Sequence, residues 1–270
     1  MSAASPLASP EPWNLVAPEY VRELMPVFET FAREALSRAA VGEGSRVLDV
    51  ASGPGTLSLL AARAGARVTA VDFAARMIAA LQERTASEGL AIEALTGDGM
   101  ALPWRERPFD AAFSLFGLMF FPDRLRGFRE LHRSLVPGGR AAVSSWMPME
   151  RSPAMNSVYK CFAELMDGGG APRDGMMPLS DPATCQREMS EAGFVDVQVH
   201  EVSARVDYAS TEAMVDAMVR SSAPVVLARA ALGERWPGLQ RTLVEKVSAE
   251  LGPGPQVFLF NAYLTVGARR

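Results

Sequence analysis

Residues 47–56 read Val-Leu-Asp-Val-Ala-Ser-Gly-Pro-Gly-Thr, and this stretch decides the fold. Residues 47–50 are apolar apart from Asp49 and read as a short buried strand. Gly53 and Gly55 allow a tight turn with close backbone approach to a ligand. Residues 56–64 continue as good helix formers and apolar residues until Gly65, which is placed as a helix C′ glycine. Strand, glycine turn and helix together open a nucleotide-binding α/β unit.

The pattern repeats downstream. Residues 67–72 form a second strand ending at Asp72, and 74–87 a helix stopped by Gly89. A third strand, 92–96, leads into Gly97-Asp98-Gly99-Met100. Strand 109–115, helix 124–135 and strand 140–146 follow, the last after Pro137-Gly138-Gly139. Strands alternating with helices at this spacing predict a doubly wound parallel sheet. Ligands of such sheets sit at the carboxyl ends of the strands, the edge that Asp49, Asp72 and Asp98 share. Upstream, residues 20–40 carry apolar residues at helical spacing, with Pro26 expected to kink or split the helix. Residues 195–206 and 257–266 read as a closing antiparallel pair.

The expected fold is therefore α/β, with a mostly parallel seven-stranded sheet, an antiparallel C-terminal strand and a helical lid. It is one domain in parts. Residues 1–12, rich in Ser, Ala and Pro, read as a disordered tail. Residues 13–146 form the core and 147–180 an insertion. Residues 181–270 complete the sheet, with a helical cap over about 211–251.

Composition narrows the function classes. A net charge of -4 without basic clusters argues against a nucleic-acid partner. Cys161 and Cys185 lack metal-ligand spacing, and no His, Cys or carboxylate cluster reads as a metal site. Neither a signal peptide nor a membrane-spanning run is visible, so the expectation is a soluble, cytoplasmic protein off the membrane.

Asp49 then points to the ligand. Its carboxylate would repel a dinucleotide phosphate and attract an ammonium group. S-adenosylmethionine (SAM), with a zwitterionic amino acid end and a sulfonium, fits that charge. Asp72 stands about twenty residues beyond the first helix start, where an acidic residue binds both ribose hydroxyls. A helix N-cap is its plainer role, and the two are compatible.

Taken together, residues 47–56, 68–72, 96–100, 109–123 and 135–145 resemble the class I SAM-dependent methyltransferases, in the manner of the small-molecule enzymes of ubiquinone and menaquinone biosynthesis. The resemblance implies a Rossmann-like methyltransferase fold, SAM as cofactor and S-adenosylhomocysteine (SAH) as product. It assigns Ala51, Ser52, Gly53 and Gly55 to the methionine part and Asp72 to the ribose. Gly97, Asp98, Gly99 and Met100 would border the adenine, with Phe73 and Met77 packed near it. Ser114, Leu115 and Tyr20 complete the expected cofactor contacts. Two departures stand out. The first loop glycine of the family is Ala51 here. Met119-Phe120 also replaces the family's frequent His-His or His-Tyr, so the resemblance carries over no histidine base.

Phe116, Met119, Phe120 and Trp146 make an apolar acceptor pocket, and a small-molecule acceptor is the expected partner. Residues 147–180 and 211–251, with the N-terminal helix, are placed to form the lid. Met147, Met149, Met155, Met166, Met176 and Met177 suit an adaptable apolar pocket. Methyl transfer is an in-line displacement in which positioning can supply much of the rate, and no catalytic residue is assigned. His132 and His200 read as structural, and Tyr20, Glu150 and Asp167 as side chains that could reach the pocket. The alternatives are a SAM-binding protein of this fold that does not transfer methyl and, more weakly, an NAD-linked oxidoreductase. Against the latter, the third glycine of that fingerprint falls at Ser58. The acceptor, the atom methylated and the oligomeric state stay open.

Overall fold

The computed structural model describes residues 5–104, 108–166 and 179–270. Asp167, Met176 and Met177 lie outside the described residues. Among those described, strands β1 (Arg46–Val50), β2 (Arg67–Asp72), β3 (Ile92–Thr96), β4 (Phe109–Leu115), β5 (Leu135–Trp146), β6 (Val195–Tyr208) and β7 (Gln256–Ala268) form one sheet. Its order is β3-β2-β1-β4-β5-β7-β6. Neighbours pair in parallel from β3 to β5, and β7 runs antiparallel to both β5 and β6. The switch point lies between β1 and β4, where ligands of doubly wound sheets collect.

Strand periodicity sorts the core into two faces. Val47, Val68, Ala111 and Phe113 pack with α2 (Met25–Arg38) and α3 (Thr56–Arg63). Leu48, Val50, Val71 and Ala112 share the opposite cluster with Phe128 and Leu131 of α5 (Arg124–Ser134) and Met189 of α7 (Pro182–Glu191). Helix α4 (Ala75–Glu88) joins the α3 side through Leu81 against Leu59.

Within the segment read as a disordered tail, residues 5–12 are ordered. Residues Pro6–Ala8 form a 3-10 turn, and α1 (Pro10–Glu23) starts at once. Pro10 and Pro12 sit in the first turn, where a missing N–H costs nothing. Pro12, Val16 and Ala17 are buried, and Val16 and Ala17 pack with Ala74, Met77 and Ala223. Pro26 splits the expected 20–40 helix as foreseen: α1 ends at Glu23, and Pro26 lies in the first turn of α2.

Helix α6 (Pro153–Leu165) packs against β7 and α10 (Trp236–Leu251). Helices α8 (Thr211–Ser221) and α9 (Ala223–Leu232) pack behind α1. Met214, Val215, Met218 and Val219 are core residues of α8. Helix α7 has no counterpart in the sequence reading. Its signal was Asp181-Pro182: the Asp181 carboxylate accepts the Thr184 N–H at 2.9 Å, and only Cys185 and Met189 face inward. No helix of the described residues is long and apolar enough to cross a membrane.

Candidate functional site

A cleft of about 710 Å³, counting its open mouth, lies at the carboxyl ends of β1, β2 and β4. Its floor comes from Ala51, Gly53, Asp72, Gly97, Asp98, Gly99 and Met100, and one wall from Leu115, Phe116 and Gly117. Phe73, Met77, Phe120, Phe121 and Pro122 line it further. Leu7, Ala8, Trp13 and Tyr20 close it from the N-terminal segment.

Asp72 is the central polar group. It is buried at the last position of β2. One oxygen accepts the Gly53 N–H and the other the Ala74 N–H, both at 2.8 Å. These bonds join the glycine turn after β1 to the start of α4. The α4 N-cap is Ala74 itself, so Asp72 holds the entry to the helix without being its cap residue. Burial pushes the Asp72 carboxyl up to about 6, against the two N–H donors.

Asp49 sits elsewhere than expected. The period of two places its side chain on the Val47 face, beneath α3, and not off the end of the strand. It is 1% exposed and accepts the Ser58 hydroxyl at 2.7 Å. It does not line the cleft. Burial raises its carboxyl to about 7; the Ser58 hydroxyl opposes this and the Asp72 charge adds to it. Asp49 therefore anchors the first turn of α3.

The glycine turn divides its labour. Gly53 has φ +55, and nothing lies within 4 Å of where a Cβ would point. Gly55 is the N-cap of α3, and a Cβ there would meet Leu81 at 2.2 Å. Gly53 thus borders the cleft, while Gly55 serves helix packing. Ala51 holds φ +55, a left-handed conformation that favours glycine. Ser52 and Ser114 do not line the cleft.

Asp98 is exposed at its rim, where its carboxylate accepts the Met100 N–H at 2.8 Å and shapes the turn. Tyr20 packs edge-on against Phe28 with ring centroids 5.7 Å apart. Burial first, then the Asp72 charge, raises its phenol well above the ordinary value, so it stays a neutral donor.

Only part of the expected acceptor pocket comes together. Phe120 and Phe116 line the cleft, and Phe120 meets Trp13 at 5.3 Å. Met119 is 1% exposed and belongs to the core. Trp146 stacks on Phe116 at 4.2 Å, behind the cleft wall. The lid is also different. None of the described residues of 147–180 or 211–251 lines the cleft; the segment 7–20 does. Met155 and Met147 are buried elsewhere, and Met149 and Met166 pack at the edge of the core. Glu150 is exposed. His132 packs edge-on against Phe194, and Arg38 lies 3.1 Å from the His200 ring nitrogen. Neither histidine reaches the cleft. Leu7 and Ala8 were missed because residues 1–12 read as a tail, and Trp13, at the start of the core segment, carried no signal that singled it out.

A family profile described as a methyltransferase domain matches residues 47–139. The demethylmenaquinone methyltransferase of Thermus thermophilus is 37% identical over 176 residues, covering 60% of this chain and 80% of that protein. The chain belongs to the class I SAM-dependent methyltransferases. Other members differ more in extent. An uncharacterized protein of Mycobacterium tuberculosis is 37% identical over 134 residues, covering 50% of this chain. The match spans about half of that relative's length, 46%. Among solved structures, the 4+2 cyclase SpnF shares the fold with a TM-score of 0.63. The two are 17% identical, over 99% of this methyltransferase-family chain and 97% of the cyclase.

Proposed function

We propose that this chain transfers a methyl group from SAM to a flat, lipophilic small molecule, at oxygen, nitrogen or carbon. The observation that carries the reading is Asp72, a buried carboxylate facing a cleft that has no basic side chain among its described lining residues. Anionic phosphates would meet uncompensated negative charge there. A cationic cofactor with a ribose diol meets its complement.

The residues present fit SAM. After accepting the Gly53 and Ala74 N–H groups, each Asp72 oxygen retains a lone pair for a ribose hydroxyl. The open space at Gly53 lets the backbone approach the methionine part. Phe73 and Met77 offer apolar flanks to a flat base, and the Asp98 turn borders it. SAM supplies an electrophilic methyl group on its sulfonium. The chain's own part is to hold cofactor and acceptor in line and to exclude water with Trp13, Phe120 and the 3-10 turn. Tyr20 lines the cleft as a neutral phenol able to donate a hydrogen bond there. No base is assigned, and the acceptor class draws support from the demethylmenaquinone enzyme of Thermus thermophilus. The two buried free cysteines support a reducing, cytoplasmic setting. The net charge of -4 supports a small molecule over nucleic acid.

Isothermal titration tests the cofactor: SAH binds, and NAD and NADP do not. The reverse order would overturn the reading. Radiolabelled SAM with a panel of lipophilic phenols and quinols then tests transfer. The fold shared with a cyclase supports a second reading, in which SAM is held but not consumed. Binding without SAH formation across the panel would favour it.

A further inference from the structure

Two buried serines lie just behind the cleft wall. Ser114 on β4 and Ser144 on β5 are each 0% exposed. They sit one register step apart, since Ser114 pairs with Val143 and Leu115 with Ser144. Both hydroxyls accept from the turn that follows β4. Ser144 Oγ takes the Phe116 N–H at 2.9 Å, and Ser114 Oγ takes the Leu118 N–H at 3.1 Å.

That turn needs holding. Phe116 has φ +57, a region that a bulky L-residue adopts only under constraint. Its ring packs on Phe28 at 4.6 Å and on Trp146 at 4.2 Å, with interplanar angles of 26° and 29°. The residue between the two clamped amides is Gly117. A Cβ there would lie 2.3 Å from the Ala51 methyl, so the turn after β4 packs directly on the turn after β1. Leu115, Phe116 and Gly117 all line the cleft. The hydroxyls therefore fix the relation between two of its walls.

We propose that Ser114 and Ser144 are positioning residues for the cofactor, clamping residues 116–118 in the strained turn that shapes the cleft wall against Ala51. This rests on the SAM reading. Serine suits the task because its hydroxyl accepts an amide in a space scarcely larger than alanine's. Removing the Ser114 hydroxyl strips the Leu118 N–H of its acceptor, and removing that of Ser144 leaves the Phe116 N–H only its longer bond, 3.3 Å, to the Ser144 carbonyl. Phe116 then relaxes toward negative φ, and Gly117 shifts off Ala51.

The test compares Ser114→Ala, Ser144→Ala and the control Ser157→Ala. The control breaks a half-buried bond to Glu250 outside the cleft, at 2.6 Å. SAH titration should show about tenfold weaker binding for each of the first two. The control should lose thermal stability with its SAH affinity intact. Amide exchange without any ligand should rise at least about tenfold at Leu118 in Ser114→Ala, and by a smaller factor at Phe116 in Ser144→Ala, where the Ser144 carbonyl still accepts. Wild-type affinity in both serine variants, or an equal loss in the control, overturns the proposal. Unchanged exchange at both amides overturns the clamp itself. If the wild type binds no SAH, the cofactor reading falls, and the exchange measurement still decides whether the clamp exists. Should Ser144→Ala fail to fold, Ser114→Ala gives the same readouts independently.

Discussion

At the scale of single residues, Asp72 combines two tasks. It pins the glycine turn to α4 through Gly53 and Ala74, and it faces the cleft. Asp72→Ala should weaken SAH binding by about 2–4 kcal/mol, the loss of two charge-assisted hydrogen bonds. That is between about thirtyfold and a thousandfold in Kd. Circular dichroism should show the fold retained, since the residue ends its strand. An unchanged Kd would leave Asp72 as a structural link only. Its proton supplies a second prediction. The carboxyl is raised to about 6, above its unfolded value of roughly 3.9. The free protein therefore holds the extra proton between those values, and this part of its stability is lost as pH rises through 6. Ribose hydroxyls donate best to the ionised form. SAH affinity should fall as pH drops below 6, by up to about tenfold per unit. Titrations from pH 5 to pH 8 that show a flat affinity would remove Asp72 from the ribose. Asp49 shows the limit of reading charge from sequence. Its position at the carboxyl edge was legible, but strand parity sends its side chain to Ser58, under α3.

At the scale of elements, α1 and the 3-10 turn before it form the described cover of the cleft. Asn14 accepts the Arg76 N–H at 2.9 Å, closing the N-terminus of α4. Trp13 donates its indole N–H to the Leu7 carbonyl at 2.9 Å and leans on Phe120. Arg220 of α8 reaches Glu23 at 3.1 Å. The cover is thus fastened at several points, and Trp13 lines the cleft together with Leu7, Ala8 and Tyr20. Trp13→Ala should speed SAH dissociation about tenfold in stopped-flow measurements, in keeping with loss of a buried aromatic contact. Its melting temperature should change little, because Val16 and Ala17 still bury the helix. Equal dissociation rates would mean that α1 is scaffold, not cover. The sequence concealed this element by composition. Pro10 and Pro12 open a helix whose buried positions are few, and residues up to 12 read as a tail until the partners of Val16 and Ala17, namely Ala74, Met77 and Ala223, are known. Helix α7 was hidden in the same way, with only Cys185 and Met189 as an inward stripe.

At the scale of the whole molecule, the cleft joins groups distant in sequence: Leu7 and Trp13, the turns after β1, β2 and β3, and residues 115–122. A ligand that bridges them should stabilise the fold as a unit. SAH at a hundred times its Kd contributes about 2.7 kcal/mol, a rise in Tm of roughly 5–10 °C for a chain of this size. Differential scanning fluorimetry checks this, and no shift at saturating SAH would mean that the folded chain does not bind it. The sequence by itself determined the order of strands and helices from residue 46 to 146, the parallel sheet and the edge on which ligands gather. Those follow from periodicity and from Gly53 and Gly55, which are local constraints. The floor residues Gly53, Asp72 and 97–100 were legible for the same reason. Only the tertiary structure decided which side chains face the cleft. Met119 and Trp146 turn into the core and its aromatic stack, Phe116 sits at positive φ with its N–H on Ser144, and of the expected lid only the N-terminal segment lines the cleft among the described residues. Each depends on contacts between strands and helices far apart in the chain, whose energies no local pattern records.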